Sequence, residues 1–379
     1  MDRRRFLEVM TVAGATTVLA ACDRMPTSAI APWQGPPAGT ADPRMRMLSW
    51  AVLAPNSHNL QSWQVDISPA DGMLLYADPT RLLPQTDPFG RQILVTLGGF
   101  LELLDIAASA EGYRTDIALF PEGAFPADRL DARPVASVKF ARDAARAVDP
   151  LFAVIPNRRS SKVAYDTARP VPAAVIAALG KASARPGLSY GATSDAARVR
   201  EIGALAAEGY RVEFISPAKM QESLDVLRIG AAEIAREPSG ITLHGPLAWW
   251  GTRLGLLKRE AMSDPSSTGF KRQLESRMAL MYATPTWIWI DSDDDSRATQ
   301  VEAGRAYLRL DLAAAAAGVA IHPNSQVLQE FVEMQPLYAR FHETVGVKAP
   351  RRVQMLARLG YADAVPPTPR RPVERILKA

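Results

Sequence analysis

The chain has one cysteine in 379 residues, Cys22, and four histidines: His58, His244, His322 and His342. A single thiol excludes intrachain disulfides and cysteine-built metal centres. The histidines lie far apart with no i,i+4 pair, and no carboxylate cluster has a metal-ligand spacing, so no metal is expected. The formal net charge of +4 is small for the length and the basic residues are scattered, which gives no nucleic-acid footprint. There is no P-loop, no GxGxxG after a strand and no GxSxG elbow.

The N-terminus carries an address. "MDRRRFLEVMTVAGATTVLAAC" places Arg3 to Arg5 before a moderately apolar stretch that ends in small residues, the layout of a secretory signal. It is too short and too weakly apolar for a permanent span. Arg4-Arg5-Phe6-Leu7 resembles a twin-arginine export signal, although Asp2 and Glu8 depart from its usual residues. Leu19-Ala20-Ala21-Cys22 resembles a bacterial lipobox, which makes Cys22 the candidate lipidation site. The expectation is a signal over residues 1–22 and a flexible tether rich in Pro, Ala, Gly and Thr over 23–43. The mature chain would then sit on the periplasmic side of a bacterial membrane, anchored by lipid.

An internal repeat organises the rest. "GGFLELLDIAASAEG" (Gly98 to Gly112) and "GRAYLRLDLAAAAAG" (Gly304 to Gly318) align without a gap at an offset of 206 residues. Each reads as an Ala/Leu-rich helix, closed by a Gly suited to a left-handed C-cap and followed by a strand-like run. Small residues along one face predict a close helix–helix interface. Two related halves follow, at 44–150 and 151–379, the second carrying a largely helical insertion at about 217–283. Strands are expected near 63–67, 72–78, 116–120, 135–140, 284–291 and 352–358. Helices and strands mix without strict βαβ alternation, which indicates an α+β fold with mixed sheets flanked by helices. The insertion contains "HGPLAWWGTRLGLLKREAM", whose Trp249, Trp250 and Leu254 to Leu257 form an apolar surface that has to be covered. It reads either as extra core helices or as a lid.

The stretch "APNSHNLQSWQV" (54–65) crowds short polar side chains between an apolar run and a strand, as either a turn or a ligand cradle would. With "NRRSSKVAYD" (157–166) and "LARLGYADAVPPTPRRP" (356–372) it resembles motifs of the flavin-dependent nitroreductases, and more narrowly the Acg-type branch, in which one chain holds two nitroreductase-like halves. The resemblance runs from about Met45 to Pro372 with weak identity between motifs. It implies FMN bound where two such units meet, and one complete site, because the loop occurs only in the first half and Arg-Arg-Ser only in the second. The interface that makes such proteins dimers would be internal, so no further oligomer is required.

The ligand so implied assigns roles. Guanidinium groups match phosphate oxygens in two-point fashion, and Arg158 or Arg159 with Ser160, and Arg370 or Arg371, are the candidates. Asn56, Ser57, Asn59 and Gln61 can meet the ribityl and ring edge, and Trp63 anchors the loop. His58 is as well suited to capping as to binding. Ser325 and Gln326 stand where the family contacts the ring but depart from its usual Glu-Gly. No protein acid, base or nucleophile is required, so none is assigned as catalytic. Two functions remain open: an oxidoreductase passing electrons from an unidentified donor to a small nitroaromatic or quinone-like acceptor, and a latent flavoprotein that sequesters FMN.

Overall fold

The computed structural model describes residues 23–255 and 257–378. The expected signal and Cys22 lie outside the described residues.

Helix α1 (Pro43–Ala51) starts where Asp42 caps the Arg44 N–H at 2.8 Å and Pro43 presets the first turn. It buries Met47, Leu48 and Ala51. The polar loop follows, then β1 (Trp63–Asp66), β2 (Gly72–Ala77), helix α2 (Arg91–Ala110), β3 (Tyr113–Leu119) and β4 (Ala136–Arg142). These strands form one antiparallel sheet in the order β1-β2-β4-β3. Trp63 is fully buried, its ring 5.1 Å from that of Phe100 on α2. The run Arg91–Ala110 is apolar and long enough to cross a membrane, but it is enclosed by protein on nearly every side and serves as the core helix.

The second half comprises α3 (Ala173–Ala182), β5 (Leu188–Thr193), α4 (Ala196–Ile215) and, after the insertion, β8 (Thr286–Ser292), helix α9 (Arg297–Ala316), β9 (Ala320–Pro323), α10 (Gln335–Val345) and β10 (Arg352–Gly360). The insertion supplies α5 (Pro217–Asp225), β6 (Leu227–Ile229), α6 (Gly230–Arg236), β7 (Ile241–Leu243), α7 (Pro246–Arg253) and α8 (Thr268–Tyr282), with β6 and β7 as a small parallel pair. The second large sheet is also antiparallel, in the order β5-β8-β10-β9. In both halves, then, two strands, a long helix and two more strands pair as first, second, fourth and third. Strand β5 carried no clear sequence signal: its residues are only partly buried and include Gly191, which lies against the Trp289 ring.

The two long helices cross face to face. A Cβ on Gly98 would stand 1.9 Å from the Val301 carbonyl oxygen, and a Cβ on Gly304 would stand 1.9 Å from that of Val95. These positions correspond under the 206-residue offset, so the close approach is reciprocal. Each helix is followed by a glycine with positive φ, Gly112 at 71° and Gly318 at 65°. Beside the crossing, buried Glu102 on α2 accepts from Arg305 and Arg309 of α9, both at 2.9 Å, and from Arg185.

Two expectations about the chain's course need correction. Residues 23–43 do not form a tether. A short turn, Thr27–Ile30, leads into Trp33, which is buried and donates from Nε1 to the Thr368 carbonyl at 2.8 Å. Burying an indole outweighs the small-residue composition that suggested flexibility. The tail beyond 360, assigned to the second half, crosses back to the first. Leu377 bridges Val65, and the Lys378 N–H donates to the Val65 carbonyl at 2.7 Å.

Candidate functional site

A cavity of about 470 Å³ opens between the halves, bounded by the polar loop, the α2–α9 crossing, the segment 158–163, the tail near Arg370 and the insertion. That volume suits a cofactor-sized ligand.

The loop is braced for its shape. His58, Asn59 and Gln61 take positive φ of 50°, 54° and 57°, which is uncommon for such residues. Asn56 holds the turn, its Oδ1 accepting the Gln61 N–H at 2.8 Å and its Nδ2 donating to the Ala54 carbonyl at 3.1 Å. The insertion clamps it from outside. The Gly240 N–H donates to the Asn59 carbonyl at 2.8 Å, Gln61 Nε2 donates to the Pro238 carbonyl at 2.9 Å, and His58 Nε2 lies 3.2 Å from the Ser223 hydroxyl.

One end of the cavity is built from arginines. Arg158, Arg159 and Arg370 gather around Trp33, their guanidinium carbons 5.6, 4.3 and 5.2 Å from its ring. Arg158 and Arg370 are each 2% exposed. Arg158 pairs with the buried Asp311 carboxylate of α9 at 2.9 Å and donates to the Leu53 carbonyl at 3.0 Å. Arg159 donates to the Pro156 and Arg158 carbonyls, both at 2.7 Å. Arg370 donates to Asn59 Oδ1 at 2.5 Å and to the Thr368 hydroxyl at 2.8 Å. The Nε atoms of Arg158 and Arg370 are buried without a partner. Burial first, then the neighbouring Arg158 and Arg159, holds the Arg370 guanidinium well below its ordinary range. Burial and Arg158 lower Arg159 in the same way. Three crowded cations facing one carboxylate, with donor atoms left over, form an incomplete electrostatic arrangement that a dianion would complete.

Toward the other end the groups are mixed. Ser57 and Ser325, one from each half, donate from their hydroxyls to Gln92 Oε1 at 3.2 and 3.1 Å. Gln326 Oε1 accepts from Asn324 Nδ2 at 3.1 Å. Lys162 is exposed to the cavity; the crowding of protein around the cavity mouth, then Arg277, lowers its ammonium to about 8. Burial, reinforced by Lys162, holds His58 down at about 4. His322 is lowered further by burial, Lys162, Arg358 and Arg277, which makes it a neutral imidazole. Burial pushes the Glu213 carboxyl up to about 7 against the hydrogen bond from Gln329 Nε2 at 2.9 Å.

Of the residues singled out from sequence, Asn56, Ser57, Asn59, Arg158, Arg159, Ser160, Ser325, Gln326 and Arg370 line this cavity. Gln61 and Arg371 do not, and both are corrections. Gln61 is fully buried and its Oε1 accepts the Arg371 N–H at 2.7 Å. The Arg371 guanidinium turns to the Gln61 and Arg375 carbonyls, toward Asp78 at 4.0 Å. Both serve to lock the tail to the loop. Sequence reasoning missed Trp33, Gln92, Lys162, Glu213 and Arg277. Lys162 stands inside the Arg-Arg-Ser motif and could have been taken with it; Trp33 was hidden in a segment with a linker's composition. The insertion contributes Met220, Leu224, Leu227, Ile241 and Arg277 as one wall, while Met220, Leu224, Leu227 and Phe270 form its own small core. The insertion therefore has its own small core and also lines the cavity. The apolar surface on α7 is not covered, contrary to expectation: Leu247 is 92% exposed, Leu254 63% and Trp250 40%.

No family model matches the chain. Two proteins from two strains of Mycobacterium tuberculosis, each named "Putative NAD(P)H nitroreductase", are 27% identical to it over 348 residues, spanning 88% of this chain and 90% of theirs. Among solved structures, a nitroreductase with bound FMN from Bacteroides fragilis is 14% identical, with 59% of this chain and 94% of that one aligned at a TM-score of 0.35. The FMN-dependent nitroreductase NfnB from Mycobacterium smegmatis, in complex with NADPH, is 21% identical over 54% of this chain and 84% of that one, with a TM-score of 0.31. Along nearly its whole length, then, the chain is similar in sequence to proteins named as nitroreductases, the family its motifs resemble.

Proposed function

We propose that the protein is an FMN-dependent oxidoreductase of the nitroreductase type, acting on small nitroaromatic or quinone-like acceptors in the cell envelope. The observation that carries the reading is the set of Arg158, Arg159 and Arg370 around Trp33, with two buried Nε atoms unpartnered. A phosphate monoester meets that demand, and the polar loop beside it suits the ribityl chain and the edge of a heteroaromatic ring. Asn56, Ser57, Asn59, Ser325 and Gln326 would meet that edge and Ser160 the phosphate, and the Lys162 ammonium adds positive charge to the cavity. When bound, FMN supplies two-electron transfer between a donor and the acceptor. The chain's own residues bind, orient and exclude water: Met220, Leu224 and Ile241 give the cavity an apolar wall. Glu213, with its carboxyl raised to about 7, can hold or release a proton there near neutral pH.

The reciprocal α2–α9 crossing and the common strand order support a finer reading, an internally duplicated chain that builds the dimer-like interface within itself. The repeat aspartates differ in use. Asp311 holds Arg158 at the cavity, whereas Asp105 holds Arg146 at 3.0 Å in a half-exposed pair. One complete flavin site per chain fits that asymmetry. The latent-flavoprotein alternative draws support from the insertion, which is hydrogen-bonded to the loop at Ser223, Pro238 and Gly240.

The test is an absorption spectrum of residues 23–379, followed by anaerobic addition of NADPH and then dithionite. Flavin bands that bleach with NADPH and return with a quinone support turnover. Bands that bleach only with dithionite support the latent protein or another donor. A colourless protein that fails to take up added FMN ends the flavin reading.

A further inference from the structure

Helix α7 presents an apolar face that the cavity does not use. Leu247, Trp250 and Leu254 recur at i, i+3 and i+7, so they share one side of the helix, and all three are exposed. Ala248, on the opposite side, is buried. Single exposed apolar residues are ordinary, but an aligned stripe of two leucines and an indole marks a contact surface. Its border is basic. The Arg253 guanidinium stacks 3.9 Å from the Trp249 ring, and Lys258 is exposed just beyond the helix. Indole, aliphatic and basic groups on one short helix are the combination that lies in a membrane interface.

Asp23 is joined to the first residues of this same helix. Its carboxylate accepts the Gly245 N–H at 3.0 Å and the Ala231 N–H at 2.5 Å, and its carbonyl accepts the Gly245 N–H at 3.2 Å. Gly245 is the N-cap of α7. Cys22, the lipobox-like cysteine, is the residue bonded to Asp23. Cys22 thus stands one residue along the chain from a contact to the N-cap of α7.

We propose that the Leu247–Trp250–Leu254 face of α7 is a membrane-docking surface, seated on an anionic phospholipid bilayer beside the lipidated Cys22. The helix face would add an oriented contact to the attachment that the lipid itself provides. Docking would also orient the insertion, which carries both α7 and the Met220, Leu224 and Ile241 wall of the cavity.

The test uses a chain beginning at Cys22, its only cysteine, coupled to a maleimide lipid in vesicles of phosphatidylglycerol and phosphatidylcholine. Coupling removes any ambiguity about affinity. With brominated acyl chains in the bilayer, tryptophan fluorescence is quenched, and Leu247→Glu with Leu254→Glu loses most of that quenching while melting at an unchanged temperature. Trp250→Phe lowers the signal as well, because Trp33, Trp63, Trp287 and Trp289 are buried, and the quenching that remains belongs to the half-buried Trp249 and Trp50. The proposal is overturned if the coupled protein shows no quenching or if the double variant is quenched equally. It is also overturned if sedimentation of uncoupled protein shows a dimer that the double variant dissociates, which would assign the face to a second copy of the chain.

Discussion

Replacing Gly98 by Ala tests the central feature of the fold, because two effects of opposite sign compete. In an open helix the change stabilises by about 1 kcal/mol, since Ala has the higher helix propensity. Here the added methyl would meet the Val301 carbonyl oxygen at 1.9 Å, whereas real Cβ atoms keep 3.0 Å or more from such a neighbour. Helices α2 and α9 must therefore part by about 1 Å. A gap of that size forfeits a quarter to a half of the dispersion attraction across it, and the close-packed interior cannot absorb it elsewhere. Overpacking costs about 1–3 kcal/mol, and attraction weakens along the whole crossing, so the propensity gain is outweighed and a net loss of about 1–2 kcal/mol remains. Urea denaturation followed by far-UV circular dichroism reads this as a lowered midpoint with an unchanged slope. Gly304→Ala behaves the same way against Val95. The double variant costs less than the sum, because one widened gap relieves both clashes. A Gly98→Ala midpoint equal to or above the parent's would refute the close crossing.

The cavity arginines separate binding from folding. Arg159→Ala removes one of three cations but no buried ion pair; it leaves the melting temperature close to the parent's and weakens FMN retention about 10- to 100-fold, read by fluorescence titration of the apoprotein. Arg158→Ala leaves Asp311 buried without its partner and costs about 3–5 kcal/mol, so its melting temperature falls whether or not flavin is present. Glu213→Gln acts through pH. The folded state raises this carboxyl from 4.5 to about 7, so its contribution is fully present below about pH 4.5 and is lost as the pH rises through 7, by at most about 3 kcal/mol. The Gln variant therefore gains on the parent in melts at pH 8 but not at pH 5; a difference that does not change with pH would rule out Glu213 as the titrating group.

What the sequence made legible was periodic or repeated. The 206-residue offset located the two helices that cross, and alternation located β1, β2, β4 and β10 to within a few residues. What it concealed depends on partners distant along the chain. Trp33 is buried because the tail brings Thr368 and Arg370 to it across more than 300 residues, and nothing local distinguishes it from an indole in a linker. Gln61 and Arg371 share the polarity of their neighbours, and only the tail's return to β1 decides that they face each other instead of the cavity. Composition errs in the opposite direction on α7: a stripe of Leu and Trp is the usual sign of burial, yet Leu247 and Leu254 remain open.

That last discrepancy bears on how the molecule works as a whole. The insertion closes the polar loop on one side and carries α7 on the other, and Asp23 bonds both Ala231 at the start of α6 and Gly245 at the start of α7. The N-terminal segment and the insertion are therefore one mechanical unit. Where Cys22 is attached to a bilayer as proposed, an orientation imposed there reaches the insertion through Asp23. If the insertion must swing for an acceptor to enter, the bonds that resist include His58 to Ser223, Gln61 to Pro238 and Asn59 to Gly240 at the loop, Gln85 and Thr86 to Glu222, and Arg81 to Glu237 and Ser239. Ser223→Ala and Asp23→Ala act on opposite ends of that unit. Loosening the loop end by Ser223→Ala raises the rate at which dithionite or a quinone reaches bound flavin, and loosening the Asp23 end does so only when the chain is attached to a bilayer. Equal rates for Asp23→Ala on and off vesicles would show that the two ends are not coupled.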